Sequence, residues 1–158
     1  MSRFKIVLFN PLIPGNTGTI GRTCVGLDLE LCLIKPLGFD LSEKEVRRAG
    51  LDYWKFVNIK IFENWEDFLQ KENPPSESLF FLSKFAKQVY YEAPYHKNCY
   101  LVFGSEVKGL PKKIHDQYPE NFYTLPMYSD HIRSLNLANV ATAVAYEALR
   151  KIEFPSCR

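Results

Sequence analysis

The chain has 158 residues, 46% of them hydrophobic and 24% charged, with a formal net charge of +2, which fits one α/β-sized domain whose core needs no staples. No apolar run is long enough to cross a bilayer and no cleavable leader is read at Lys5, while the near-neutral balance is unlike that of strongly basic nucleic-acid-binding domains. Cys24, Cys32, Cys99 and Cys157 form neither a C-x-x-C pair nor a zinc spacing, so the reading is free thiols, no metal centre and a reducing cytoplasm.

In chain order, the apolar run Phe4–Phe9 predicts a strand. It breaks at Asn10-Pro11 and Pro14-Gly15, and a helix is expected to open at Asn16 or Thr17, capped by one of them, and to end at Gly26. Leu27–Ile34 alternates as a strand does, and Ser42-x-x-Glu45 is a capping-box signature for a short helix through Arg48. Phe56–Phe62 predicts a strand, and Trp65–Lys71 a helix with Trp65, Phe68 and Leu69 on its apolar face. Two buried strands follow at Leu79–Phe85 and Tyr100–Phe103, then a helix opened by Pro111 and running through Gln117. Phe122–Leu125 is a short strand, and the last helix carries Leu137, Val140, Ala141, Val144 and Ala148 on one face, with Arg150-Lys151 at its negative end. This alternation predicts an α/β fold, a mostly parallel open sheet with helices on both faces.

Ligands of such sheets bind at the carboxyl ends of the strands. Three polar loops are expected there: Asn10–Arg22, Gly104–Pro111 and Pro126–Asn136. In the first, glycines at 15, 18 and 21 permit close approach, and Arg22 offers a planar cationic fork. The spacing matches neither the dinucleotide fingerprint nor the P-loop. In the second, Gly104 would admit a flat ligand and Glu106 supplies a carboxylate; in the third, Ser134 and Asn136 are polar groups that could equally be helix caps. Arg47-Arg48, Lys84 with Lys87, and Lys108 with Lys112-Lys113 are solvated faces by default, and a phosphate footprint only if they converge.

Three segments carry a resemblance to a known class. Asn16-Thr17-Gly18…Arg22-Thr23-Cys24, Phe103-Gly104-x-Glu106-x-x-Gly109-Leu110-Pro111 and Leu125-Pro126-Met127…Arg133-Ser134-Leu135-Asn136-Leu137 resemble the three motifs of SPOUT methyltransferases. Within that class the chain is similar to the small tRNA wobble-nucleotide ribose 2'-O-methyltransferases, and Arg47-Arg48-Ala49-Gly50-Leu51-Asp52-Tyr53-Trp54 is typical of the subgroup. The resemblance spans Lys5 to about Lys151. It departs from the pattern at Val107, Lys108 and Ala138, and in a segment Tyr128–Ile132 about one residue longer than usual.

The resemblance implies a single SPOUT domain over residues 1–158, with a deep trefoil knot formed roughly between 79 and 152. It implies S-adenosylmethionine as cofactor, bound by Leu82, Gly104, Leu125 and Ser134, and a cytoplasmic homodimer whose sites are completed by the partner. It also implies tRNA as substrate, held through its anticodon loop, with methyl transfer to the 2'-hydroxyl of cytidine or uridine at the wobble position. The site residues it implies are Arg22, Asn16, Glu106, Ser134 and Asn136. A guanidinium is a poor general base, so Arg22 is expected to clamp a phosphate and stabilise developing negative charge, and Glu106 is the alternative base. Tyr53, Trp54, Tyr90, Tyr91 and Tyr128 are candidate base-stacking rings. Two other readings stay open: methylation of ribosomal RNA or another tRNA position, and a non-catalytic RNA-binding assembly factor.

Overall fold

The computed structural model describes residues 3–41 and 53–156. The expected helix from Ser42 to Arg48, most of the Arg47–Trp54 segment and Cys157 lie outside the described residues.

Seven strands form one sheet: β1 (Phe4–Phe9), β2 (Glu30–Ile34), β3 (Asn58–Phe62), β4 (Leu79–Leu82), β5 (Gln88–Val89), β6 (Cys99–Phe103) and β7 (Phe122–Thr124). Their order is β3-β2-β1-β6-β4-β7-β5, and every neighbouring pair is parallel. Among the described residues four α-helices accompany it: α1 (Pro14–Leu27), α2 (Trp65–Glu72), α3 (Lys112–Gln117) and α4 (Leu137–Glu153). Strands β2, β4 and β6 are buried throughout, as near-continuous apolar runs in a two-faced parallel sheet should be. Ile6, Leu8, Leu31 and Phe103 face one core cluster, which includes Ile20 and Cys24 of α1 and Ala138, Ala141, Val144, Ala145 and Ala148 of α4. Their sheet neighbours Val7, Cys32 and Val102 face the other, with Trp65 and Phe68 of α2 and Ile114 of α3. The alanines of α4 therefore do their close packing inside the chain. Burial pushes the Cys24 thiol up to about 12 and Cys99 up to about 11, so both stay protonated.

Several boundaries differ from the sequence reading: the strands expected from Leu27 and Phe56 begin at Glu30 and Asn58, because α1 runs through Leu27 and a 3-10 turn spans Trp54–Phe56. Helix α1 opens at Pro14, two residues before Asn16, because a proline presets the helical φ and has no N–H to leave unpaired. Neither Asn16 nor Thr17 caps it. It closes past Gly26 at Asp28, which takes the left-handed conformation (φ 54°) and donates its N–H to Val25 O at 3.2 Å. Strands expected to reach Phe85 and Leu125 stop at Leu82 and Thr124, releasing the next residues into the loops that build the site.

At the amino end of the sheet, Lys5 of β1 lies beside its β2 register partner Glu30. Its Nζ is 3.2 Å from Glu30 Oε1 and 2.5 Å from Glu72 Oε1, while Lys60 Nζ lies 3.3 and 3.4 Å from the same two carboxylates. Burial alone would lower the Lys5 ammonium, but the two carboxylates outweigh it and hold it above the ordinary lysine range. Burial likewise pushes Glu72 upward, and Lys5 followed by Lys60 reverses that, holding it below the ordinary carboxylate range.

Candidate active site

Strand order places the site. The chain runs outward from β1 to β3, resumes at β4 on the other side of β1, and later inserts β6 between β1 and β4 and β7 between β4 and β5. The carboxyl ends of β1, β6, β4 and β7 are thus neighbours, and the loops leaving them meet around a cleft of about 540 Å³. That volume is within the usual range for a small-molecule site. Leu82, Gly104, Leu125, Ser134, Asn16, Glu106 and Asn136 all line it, so seven of the eight residues picked from the sequence converge.

The loop after β6 forms one wall. Ser105 and Gly109 exchange two backbone hydrogen bonds, at 3.2 and 3.0 Å, and Gly109 adopts φ +65°. Gly104 was expected to make room for a ligand, but the atoms closest to it belong to its own loop. A Cβ built there would fall 2.3 Å from Gly109 C and 2.5 Å from Leu110 N. The glycine is required so that the loop can fold back on itself, and the fold-back gives the cleft its wall.

Glu106, from the same loop, reaches the start of α1. Its carboxylate accepts the Leu12 N–H at 3.1 Å and the Ile13 N–H as well. Asn16 or Thr17 was expected to supply such a cap, yet Glu106 brings negative charge from another loop to the positive end of the helix. One turn into α1, Asn16 Oδ1 accepts from Asn136 Nδ2 at 3.2 Å. Asn136 Oδ1 in turn accepts the N–H groups of Ala138 and Asn139, at 2.9 and 3.2 Å, and so caps α4. Ser134 takes no part in capping; it is exposed on the cleft two residues earlier.

Arg22 does not line this cleft. It is exposed on α1 with its guanidinium 5.2 Å from the centre of the Tyr53 ring, and Tyr53 donates its hydroxyl to Gly18 O at 3.3 Å. With Thr23, Thr142 and Tyr146 it borders a separate hollow of about 450 Å³ between α1 and α4. The other candidate rings divide similarly. A Cβ on Gly21 would sit 2.8 Å from the Trp54 ring, Tyr90 is buried against Tyr91, and Tyr128 alone of the five projects almost wholly into solvent.

Sequence reasoning missed His115 and Phe85 as cleft residues. His115 lies on α3, whose start at Pro111 turns the chain back beneath the cleft, and its ring stacks on Phe122 with centroids 4.1 Å apart. The available signal was its place one turn after a proline-opened helix, which a search for metal-ligand spacing passes over.

The SpoU rRNA Methylase family pattern matches residues 3–146. A Listeria innocua protein is 46% identical over 152 residues, covering 94% of this chain and 88% of its own length. The tRNA (cytidine(34)-2'-O)-methyltransferase of Yersinia pestis is 43% identical over 155 residues, covering 96% of this chain and 95% of its own. A structure solved for insight into the 2-OH methylation of C/U34 on tRNA superposes with a TM-score of 0.86 at 36% identity, covering 95% of this chain and 96% of that one. With the parallel sheet and the convergence of all three motif loops on it, these matches place the chain in the SpoU rRNA methylase family.

Proposed function

We propose that the protein transfers a methyl group from S-adenosylmethionine to the ribose 2'-hydroxyl of cytidine or uridine at the wobble position of tRNA. The observation that carries this reading is the meeting of Asn16, Glu106, Ser134 and Asn136 with Leu82, Gly104 and Leu125 at one cleft, in a chain whose relatives include enzymes named for that reaction.

The residues present fit the cofactor. Leu82, Leu110, Leu125, Leu137 and Val140 give the cleft apolar surface for a flat heteroaromatic ring, and Asn16, Ser134 and Asn136 are among the polar groups that line it. Bound there, the cofactor supplies a methyl group on positively charged sulfur. The chain's task is then alignment: holding the 2'-oxygen close to and in line with that carbon removes much of the entropic part of the barrier. Asn16 and Asn136, tied side chain to side chain, form a fixed polar pair at the ribose. Ser134 makes no hydrogen bond among the described residues and has its hydroxyl available to the reacting oxygen. Glu106 spends its carboxylate on Leu12 and Ile13, so its role is to position α1 rather than to take the proton.

Arg22 lies on another surface, and this supports a homodimer in which Arg22 of a second copy closes the cleft, clamps a substrate phosphate and stabilises charge on the attacking oxygen. The interleaving of β6 and β7 among earlier strands supports the threaded, knotted arrangement between about 79 and 152. The test is incubation of the purified protein with S-adenosylmethionine and unmodified tRNA, followed by digestion and mass spectrometry of the nucleosides. The expected product is 2'-O-methylcytidine or 2'-O-methyluridine from position 34, absent with Arg22→Ala. A methylated base, or a 2'-O-methyl product from ribosomal RNA alone, overturns the substrate reading.

A further inference from the structure

Two of the most exposed large apolar side chains, Phe85 at 78% and Val107 at 79%, both border the cleft. Phe85 is held outward by a built turn: Ser83 Oγ accepts the Phe85 N–H at 3.2 Å, and Ser83 O accepts the Ala86 N–H at 3.2 Å. Lys84 carries its ammonium 5.3 Å from the centre of the Phe85 ring, and both side chains border the cleft. Lys108, next to Val107, borders it too. Neither lysine has an ion-pair partner among the described residues, and Glu106, the one carboxylate lining the cleft, is spent on backbone N–H groups. The mouth of the cleft therefore offers an exposed aromatic ring with one ammonium over it, and a second lysine on the same lining, neither of them ion-paired among the described residues.

We propose that Phe85 is the stacking platform for an unpaired base of the RNA next to the target ribose, with Lys84 and Lys108 contacting the flanking phosphates. This rests on the reading that the substrate is RNA. An aromatic ring with cations beside it is how single strands are gripped without sequence readout, because every base has a π-face and every nucleotide a phosphate. The alternative covers for Phe85 are the cofactor and a second copy of the chain, and each is an outcome of the test.

The experiment uses the full chain with saturating S-adenosylhomocysteine and a fluorescent anticodon stem–loop RNA, comparing wild type with Phe85→Ala, Phe85→Tyr and Lys84→Ala by anisotropy. Phe85→Ala is expected to weaken RNA binding roughly five- to 150-fold, and Phe85→Tyr to restore it. Lys84→Ala should lower the slope of log affinity against log salt by about 0.7. Affinity for S-adenosylhomocysteine and the sedimentation coefficient should not change. Unchanged RNA affinity in Phe85→Ala overturns the proposal. So does a parallel loss of S-adenosylhomocysteine binding, which assigns Phe85 to the cofactor, or a shift in oligomeric state, which assigns it to a second copy. Because binding is read without turnover, a wild type that binds the RNA but methylates none of it refutes the methyltransferase reading while the variants still decide the role of Phe85. A wild type that binds no RNA overturns both.

Discussion

Gly104→Ala tests the idea that the cleft wall is a backbone fold-back. The new Cβ would lie 2.3 Å from Gly109 C, 2.5 Å from Leu110 N and 2.7 Å from Gly109 Cα, all of them backbone atoms that no rotamer change can clear. The loop must open, at the expense of the two Ser105–Gly109 hydrogen bonds at 3.2 and 3.0 Å. Those bonds contribute about 0.5–1.5 kcal/mol each, and forcing extra volume into a closed site adds about 1–3 kcal/mol. The sum is a destabilisation of roughly 2–6 kcal/mol. With a urea slope of about 2 kcal/mol/M, the unfolding midpoint should fall by about 1–3 M. Gly26→Ala is the control: nothing lies within 4 Å of a Cβ there, and the residue is helical. It should stabilise by about 0.5–1 kcal/mol through helix propensity. Affinity for S-adenosylhomocysteine, read by calorimetry, should fall in Gly104→Ala only. A Gly104→Ala midpoint equal to that of wild type would refute the reasoning, because it would mean the loop closes equally well with a side chain in the contact.

Three further outcomes are expected. Asn136→Ala removes the cap of α4 and should cost about 0.5–2 kcal/mol in urea unfolding; Asn136→Ser keeps a capping oxygen and should recover most of that stability but not the activity, since the bond to Asn16 is lost. Glu106→Gln should keep much of the single-turnover methylation rate while lowering stability, as it weakens the hold on Leu12 and Ile13; a loss of 10²- to 10⁴-fold with unchanged stability would make Glu106 a general base instead. Glu72, held below its ordinary range when folded, stabilises above its unfolded value near ~4.3 and loses that contribution as pH falls through the lowered native value. Acidification from neutrality should therefore destabilise wild type more steeply than Glu72→Gln, while the raised Lys5 contributes until pH climbs beyond about 10.4 and is lost above it; parallel acid limbs for the two proteins would refute the assignment.

The central strands were legible because they are simple. A parallel strand buried on both faces is a continuous apolar run, and Phe4–Phe9 and Cys99–Phe103 are little else. The strand β5 was not legible: two residues, Gln88 and Val89, carry no periodicity, and pairing with β7 alone defines them. Helix α1 was placed two residues late because Pro14-Gly15 reads as a break, and its true cap comes from Glu106, more than ninety residues further along. No local pattern reports a cap that distant. At Gly104 the sequence marks a position for close approach but does not say which atoms approach; the nearest are the backbone of Gly109 and Leu110 in its own loop. Arg22 was chosen by motif, yet motif matching says nothing about which face of α1 carries it.

The placement of Arg22 and the bonds around α1 bear on each other. The helix is fixed at its start by Glu106, from the loop after β6, and one turn later by Asn16 against the cap of α4. Further along, the Thr23 and Thr142 hydroxyls meet at 2.7 Å, joining α1 to α4 again beside Arg22. Arg22 thus stands on a helix tied at several points to the elements that shape the cleft, although it does not enter that cleft. A guanidinium on a loop would bring side-chain and backbone entropy losses to any phosphate contact. On a clamped helix, with its guanidinium 5.2 Å from the centre of the Tyr53 ring, the backbone part of that ordering is complete before any phosphate contact. That rigidity suits an arginine that meets a second surface in a fixed register, which is what the proposed completion of another copy's cleft would ask of it.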